Sequence, residues 1–392
     1  MITLLLILTV VCLFMPVYVY AGYPALLWLL SRRRARPRAA DANGRATVAL
    51  VISCYNEAAV IRRKLENALA LDYPRERLAI VVVSDGSDDG TDAIVREYAN
   101  RGVRLIRQED RLGKTMGLNL AMGQVDSEFV VFSDANALYE PDAIRRLLGH
   151  FANPRVGYVV GAALYTDAGE GASASNENRY WRYELVIKQM ESRLHSVVGG
   201  DGAIYAIRAC LWQPLQASDI NDFVNPLQII AQGYRGVFEP QARCFEQTAG
   251  DFQREAARKE RIVNRSIRGL MRVKSVMNPR KTGLFAWQVV SHKLLRWLIP
   301  LFLLVGAIGS VVLALAGYLT FQLLTAAMLV ILALALAGHL MKHRRQLPVL
   351  VSMPYYFVMV NLYAVRGIVR ALRGQTQVTW QSARPVQGRE QG

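Results

Sequence analysis

Residues 2 to 30, ITLLLILTVVCLFMPVYVYAGYPALLWLL, run without one charged side chain. The hydrocarbon core of a bilayer takes about 20 apolar residues of helix, and lipid offers nothing to an unpaired backbone group, so such a stretch is confined to a transmembrane helix. A secretory signal would begin with a basic region, carry a shorter apolar core and end in a small-residue cleavage site, and the segment has none of these. SRRRARPR follows, with five arginines between Arg32 and Arg38. Basic residues beside a span stay on the cytoplasmic side. The expected topology therefore puts the N-terminus outside and residue 31 onward in the cytoplasm.

Apolar residues crowd again after Leu294, in spans near 297–317 and 321–340, whereas Arg45 to Arg280 has the mixed composition of a soluble domain. AWQVVSHKLLRWL, with its tryptophans and basic residues, predicts an interfacial segment ahead of these spans. KHRR at 342–345 returns the chain to the cytoplasm. LPVLVSMPYYFVMVNLYAV is long enough to cross, but crossing would set Arg366, Arg370 and Arg373 outside, so spanning and re-entrant readings both stand. The expected division is an N-terminal transmembrane helix (1–30), a basic linker (31–45), a cytosolic domain (46–280), an interfacial segment with C-terminal transmembrane helices (284–370) and a polar tail (374–392).

The net charge of +16 is not accompanied by zinc-finger spacing or an aromatic-rich nucleic-acid motif, so nucleic acid is not an expected partner. The basic residues cluster beside apolar segments, which fits anionic membrane lipids and phosphorylated substrates. Cys12, Cys54, Cys210 and Cys244 form no metal-binding pattern and are expected as packing thiols in a reducing compartment.

Between Thr47 and Leu164 short β-branched runs alternate with longer amphipathic ones. TVALVIS, LAIVVVS, VRLI, EFVVFS and VGYVVGAAL predict strands, with helices at about 57–71, 88–99, 114–124 and 141–151. This is the pattern of an α/β domain, a parallel sheet with helices on both faces. The second half predicts a long helix at about 177–195, a turn in GGDGAIYAIR, a polar DIND stretch, a helix from Phe223 to Gly233 and a basic helix from Phe252 to about Val276. Ligands of parallel sheets bind beyond the carboxyl ends of the strands. Those ends are Cys54-Tyr55-Asn56-Glu57, Ser84-Asp85-Gly86-Ser87 and Ser133-Asp134-Ala135-Asn136, each with a carboxylate.

A carboxylate at Asp85 accepts hydrogen bonds from a nucleotide's base and ribose but cannot hold its phosphates. A divalent cation does that with one or two side-chain oxygens, substrate phosphates and water. Asp134 supplies such an oxygen, and Asn136 a neutral carbonyl. The competing role for the pair is to cap the helix opened by Pro141 or to satisfy loop backbone. Lys114 opens a helix in RLGKTMGLN, where a phosphate is favoured, although without the full G-x-x-x-x-G-K-[ST] of a phosphate-loop ATPase.

Taken in order and spacing, VISCYNEAAVI, VVVSDGSDDGTDAI, RLGKTMGLN, FSDAN, GGDGAIYAIR and the Asp222-Phe223 pair resemble the family 2 glycosyltransferases, especially the membrane-bound polysaccharide synthases related to the hyaluronan, cellulose and poly-N-acetylglucosamine enzymes. The resemblance covers about 45–275. It implies a GT-A fold, a Rossmann-like nucleotide-sugar-binding domain flanked by transmembrane helices, with a nucleotide-sugar donor, commonly UDP-linked, and Mg²⁺ or Mn²⁺. Tyr55, Asn56, Glu57 and Asp85 then match nucleotide-contacting positions, with Lys114, Gly200 and Asp201 also on the substrate side. Asp134 matches the first carboxylate of the metal-binding D-x-D, with Asn136 in place of the second.

Asp222 stands where the family places the base that deprotonates an acceptor hydroxyl during an inverting displacement. Its ordinary alternative is to cap the helix from Phe223, and Asp219 is the nearest rival carboxylate. Asn221 replaces a frequently acidic neighbour. RKERI is a loose counterpart of Q-x-x-R-W: Arg258 replaces Gln, Arg261 is kept as a diphosphate-binding cation, and Ile262 removes the aromatic platform. Arg254, Arg265, Arg268 and Arg272 are expected at the surface.

The chain is thus expected to be an integral protein of a plasma membrane, the bacterial inner membrane, with its catalytic domain cytosolic. It would pass a hexosyl or N-acetylhexosaminyl group to a growing polysaccharide or lipid-linked glycan. The alternatives are single addition to a polyprenyl phosphate and a non-catalytic nucleotide-binding subunit.

Overall fold

A computed structural model describes residues 1–37, 39–40, 44–165, 172–246, 252–341 and 348–375, with side chains excepted at 172–180 and 252–259. Two compact units emerge. One combines residues 29–251 with 268–287, and the other combines 1–28, 252–267 and 288–375.

The chain opens with two helical stretches, α1 (Ile2–Val17) and α2 (Tyr23–Ser31), joined through a π-helical turn into one helix. The first unit then follows the alternation read from the sequence: β1 (Val48–Cys54), α3 (Ala58–Leu69), β2 (Leu78–Ser84), α4 (Thr91–Glu97), β3 (Val103–Arg107), α5 (Lys114–Met122) and β4 (Phe129–Asp134). Every residue of β1 is buried, as expected for a strand covered on both faces. These four strands are parallel in the order β3-β2-β1-β4.

Register places the chemistry. Cys54 pairs with Ser84 and Ser53 with Asp134, so β1, β2 and β4 end at one rim.

Beyond β4 the sheet is mixed, which departs from the purely parallel expectation. β5 (Leu138–Tyr139) and α6 (Ala143–Leu148) precede β6 (Val156–Tyr165) and α7 (Ala172–Leu194). Then come β7 (Tyr205–Arg208), α8 (Asn221–Ala231) and β8 (Arg235–Glu246). β7 runs antiparallel to β4, pairing Phe132 with Tyr205, so the glycine turn ahead of β7 enters beside the end of β4. β6 and β8 are parallel to each other and bring Glu246 opposite Tyr165, while β5 pairs with β8. β8 escaped the sequence reading because Pro240 interrupts it, and proline removes a ladder donor. β5 and β7 are too short for a periodic signal.

A basic helix, α9 (Phe252–Arg272), is followed by the short α10 (Pro279–Thr282) and then α11 (Leu284–Val289), α12 (Leu295–Leu315), α13 (Leu319–Leu340) and α14 (Val349–Leu372). The expected interfacial segment is not separate. Leu284–Leu315 is one helix of 32 residues with a π-helical turn inside it. In the second unit α1 and α12 approach closely because glycines face them: a Cβ on Gly309 would lie 2.0 Å from the Thr9 hydroxyl oxygen, and one on Gly306 would lie 2.7 Å from Leu13 Cδ2. Small residues at such crossings let apolar helices pack by contact alone. α14 is continuous to Leu372, without a re-entrant break, and ties back to α9 through Arg370 and Glu260 at 2.6 Å. Among the described residues four helices, Ile2–Ser31, Leu284–Leu315, Leu319–Leu340 and Val349–Leu372, are long and apolar enough to cross a membrane.

Candidate active site

The rim of the first unit gathers most of the residues singled out from the sequence. Asp85 follows β2 and is buried. Its Oδ1 accepts from the Gly113 amide at 2.8 Å and from Gln108 Nε2 at 2.7 Å. Its Oδ2 is buried with no hydrogen-bond partner among the described residues. Burial pushes this carboxyl above the usual carboxylate range, against the Gly113 amide and Arg111. An orphaned acceptor in a buried carboxylate is costly, and a nucleotide donor group entering the rim would satisfy it.

Tyr55, at the end of β1, lies under the Arg111 guanidinium, 3.8 Å from the ring centroid. Asn56 is already committed. Its backbone is left-handed (φ 53°), its amide donates to Asp88 Oδ1 at 2.6 Å, and its oxygen accepts the Asp88 amide at 3.0 Å. The Glu57 amide donates to Thr91 Oγ1 at 2.9 Å. These contacts lace the YNE turn to SDGSDDGT. Asn56 and the Glu57 backbone thus shape this turn, beside Tyr55 and Asp85.

Asp134 ends β4, and its Oδ1 is ion-paired with Lys114 Nζ from the first turn of α5. Burial opposes the Lys114 charge. Asp134, with Asp222 and Glu246 further off, outweighs it and leaves the lysine pKa above its ordinary value. Asn136 is partly exposed. The capping role weighed for this pair is not what the turn uses, since Asp134 is turned to Lys114.

Gly202, in the glycine turn, marks where these groups meet: a Cβ there would lie 3.3 Å from Lys114 Nζ, 3.4 Å from Asp222 Oδ2 and 3.5 Å from Asp134 Oδ2. Two carboxylates and one ammonium thus surround a point that only a glycine leaves open.

Asp222 does not cap its helix. α8 begins one residue earlier, at Asn221 after Ile220, and the Asp222 Oδ2 accepts instead from the Gly202 amide at 3.0 Å. Its carbonyl accepts the Gly200 amide at 2.5 Å. Burial raises the Asp222 pKa above the ordinary value, with Lys114 opposing and Asp201 and Asp134 adding to the rise. Asp201, buried, accepts Lys188 Nζ at 3.1 Å. The rival carboxylate, Asp219, is spent. It is buried against the Gln216 amide at 2.7 Å and the Arg272 guanidinium.

Arg265 is buried, which corrects its surface assignment, whereas Arg272 is exposed as expected while its guanidinium reaches Asp219. Arg268 is half-buried, and the Arg254 side chain lies outside the described residues. Arg258 and Arg261 sit on α9, in the unit built from the apolar helices; the Arg258 side chain is likewise outside the described residues.

Sequence reasoning missed Glu246, whose charge reaches both Lys114 and Lys64, because β8 was not recognised. It also missed Lys64, which lies mid-helix within an unremarkable amphipathic pattern.

Among the described residues no group of three or more His, Cys, Asp and Glu is arranged to hold a metal. Asp134 and Asn136 nevertheless offer two hard oxygen donors on one turn. The Asn136 amide makes no hydrogen bond among the described residues. This set suits a cation that brings its own phosphates and waters.

Residues 49–210 match the family model described as glycosyl transferase family 2. Over 116 residues the chain is 31% identical to a poly-beta-1,6-N-acetyl-D-glucosamine synthase of Staphylococcus epidermidis, covering 29% of this chain and 28% of that one. Over 204 residues it is 24% identical to the protein of that name from Staphylococcus aureus (strain COL), covering 50% and 49%. The chain thus matches about half or less of the length of these relatives. In fold it resembles the mannosyltransferase PcManGT from Pyrobaculum calidifontis, solved with GDP-Man and Mn²⁺, with a TM-score of 0.67, 23% identity and coverage of 93% of this chain and 99% of that one.

Proposed function

Because the chain belongs to glycosyl transferase family 2 through its GT-A domain, we propose that it transfers a sugar, with inversion, from a UDP-linked or similar nucleotide donor to a growing polysaccharide or lipid-linked acceptor. The observation that carries this reading is the convergence of Lys114, Asp134 and Asp222 around Gly202, at the rim where Asp85 keeps a free oxygen.

A sugar hydroxyl is a poor nucleophile, so a positioned base must take its proton as it attacks, which contributes about 10²- to 10⁴-fold. Asp222 fills that role: its Oδ2 is fixed by the Gly202 amide, and its raised pKa makes it a stronger acceptor than an exposed aspartate. Asp85 and Tyr55 orient the nucleoside. Lys114 places a fixed cation where the diphosphate departs, and preorganised charge there stabilises the leaving group. Asp134 and Asn136 would hold Mg²⁺ or Mn²⁺, which, when bound, supplies further charge neutralisation to the diphosphate. Arg261 is assigned to the diphosphate oxygens and Arg258 to the substrate side on the motif resemblance.

In this reading the enzyme sits in a plasma membrane, the bacterial inner membrane, with the GT-A domain cytosolic. Support comes from the four apolar helices and from the arginines that follow the first. Ile262, exposed where processive synthases carry tryptophan, favours a second reading in which one sugar is added to a polyprenyl phosphate. Product length separates them, a ladder against a single-sugar lipid.

The test is a screen of UDP- and GDP-sugars with membranes holding the protein, measuring nucleoside diphosphate release with Mg²⁺ or Mn²⁺. Release from one donor is expected. Silence across the panel with nucleotide binding retained would make the chain a non-catalytic subunit.

A further inference from the structure

Lys64 projects from α3 and is fully buried, at 0% exposure. Its three N–H groups are all used, on the Ser133 hydroxyl at 2.7 Å, on the Ala137 carbonyl, and toward the Tyr139 ring, whose centroid is 4.1 Å away. Among the described residues no carboxylate forms an ion pair with it. A buried ammonium without a directly paired anion is expensive, and an apolar side chain would fill the same space at lower cost.

The acceptors explain what it does. Ser133 and Ala137 bracket Asp134, Ala135 and Asn136. One helical turn on, Asn67 grips the same segment, donating to the Tyr139 carbonyl at 2.9 Å and accepting its amide at 2.8 Å. Tyr139 in turn donates to the Ala203 carbonyl at 2.9 Å, next to Gly202. α3 therefore clamps the turn between β4 and β5 at both ends, with a positive charge at its centre.

We propose that Lys64 is a positioning residue for donor binding, a buried cation that holds the Asp134–Asn136 turn with both side chains facing the diphosphate. This role rests on the donor chemistry proposed above. It acts on the diphosphate half of the ligand, because its hydrogen bonds go to Ser133 and Ala137 on either side of that turn. Burial holds the Lys64 ammonium down to about 8, with Asp134 and Glu246 pulling the other way, so the lysine stays largely charged near neutral pH.

The test measures binding of UDP with Mn²⁺ and of uridine alone to the full chain in detergent, for Lys64→Met, Asp134→Asn and the double variant. Lys64→Met is expected to weaken UDP–Mn²⁺ binding about tenfold or more, the loss of a charged hydrogen-bonding group, and to leave uridine binding unchanged. The double variant should bind UDP–Mn²⁺ no more weakly than Asp134→Asn, since both act through one turn. Unchanged UDP affinity, equal loss of uridine, or fully additive effects would each overturn the role. Should Lys64→Met fail to fold, Ser133→Ala, which removes one acceptor, decides in the same way through selective loss of UDP over uridine. If the unaltered protein binds neither UDP nor GDP, the proposed function falls and this role with it, an outcome distinct from failure at Lys64.

Discussion

Replacing Lys114 with methionine removes the one cation of the Gly202 convergence and leaves its two carboxylates facing each other. Two unit charges about 5 Å apart interact by about 3 kcal/mol at an effective dielectric near 20. With the lysine side chain 19% exposed, about half of that is a fair expectation after solvent screening. The loss in kcat/KM should therefore be about 10- to 100-fold.

The pH profile carries the sharper signature. Burial already raises the Asp222 pKa and Lys114 opposes that rise, so losing the lysine raises it further. A general base acts only when ionised, hence the acid limb of kcat/KM must move to higher pH. Nucleoside diphosphate release measured across the acidic and neutral range would show it. A variant that loses activity with its acid limb unmoved would refute the coupling between Lys114 and Asp222.

Calorimetry should find only weak Mn²⁺ binding without nucleotide, because Asp134 is the one carboxylate of the turn and Lys114 already occupies it; tight binding of the bare ion would contradict this donor set. Gly202→Val should abolish transfer with little change in melting temperature, since its side chain would occupy the space between Lys114, Asp134 and Asp222; retained activity would mean that substrate does not use that space. Asp222→Asn should raise the melting temperature near neutral pH. A carboxyl whose folded pKa is raised contributes stability below its unfolded pKa and loses it as pH rises through the folded value. The gain should vanish in acid, and a gain that persists there would point to another cause.

The parallel half of the sheet was legible because β-branched runs and amphipathic helices alternate cleanly through residue 134, and because register then sets Asp85 and Asp134 on one rim. The antiparallel half was not. β7 is four residues long behind glycines, and β8 carries Pro240, so neither gives a period. Asp222 was singled out by its motif, but its alternative as a helix cap could be set aside only by seeing its oxygen on the Gly202 amide. The place of Asn56 in YNE suggested a ligand contact, and the fold shows in addition that its side chain ties this turn to Asp88. Lys64 was invisible in the sequence, since an amphipathic helix places lysines outward by default and only the fold reveals one pointing in.

The central claim is that Asp222 is the base of a sugar transfer. The direct measurement is transfer from the donor found in the screen, alongside donor binding, for Asp222→Asn in membranes. Asparagine can keep the Gly202 hydrogen bond through its own oxygen, so binding should stay within a few-fold while transfer falls by about 10³-fold or more. Transfer at the unaltered rate would contradict the account.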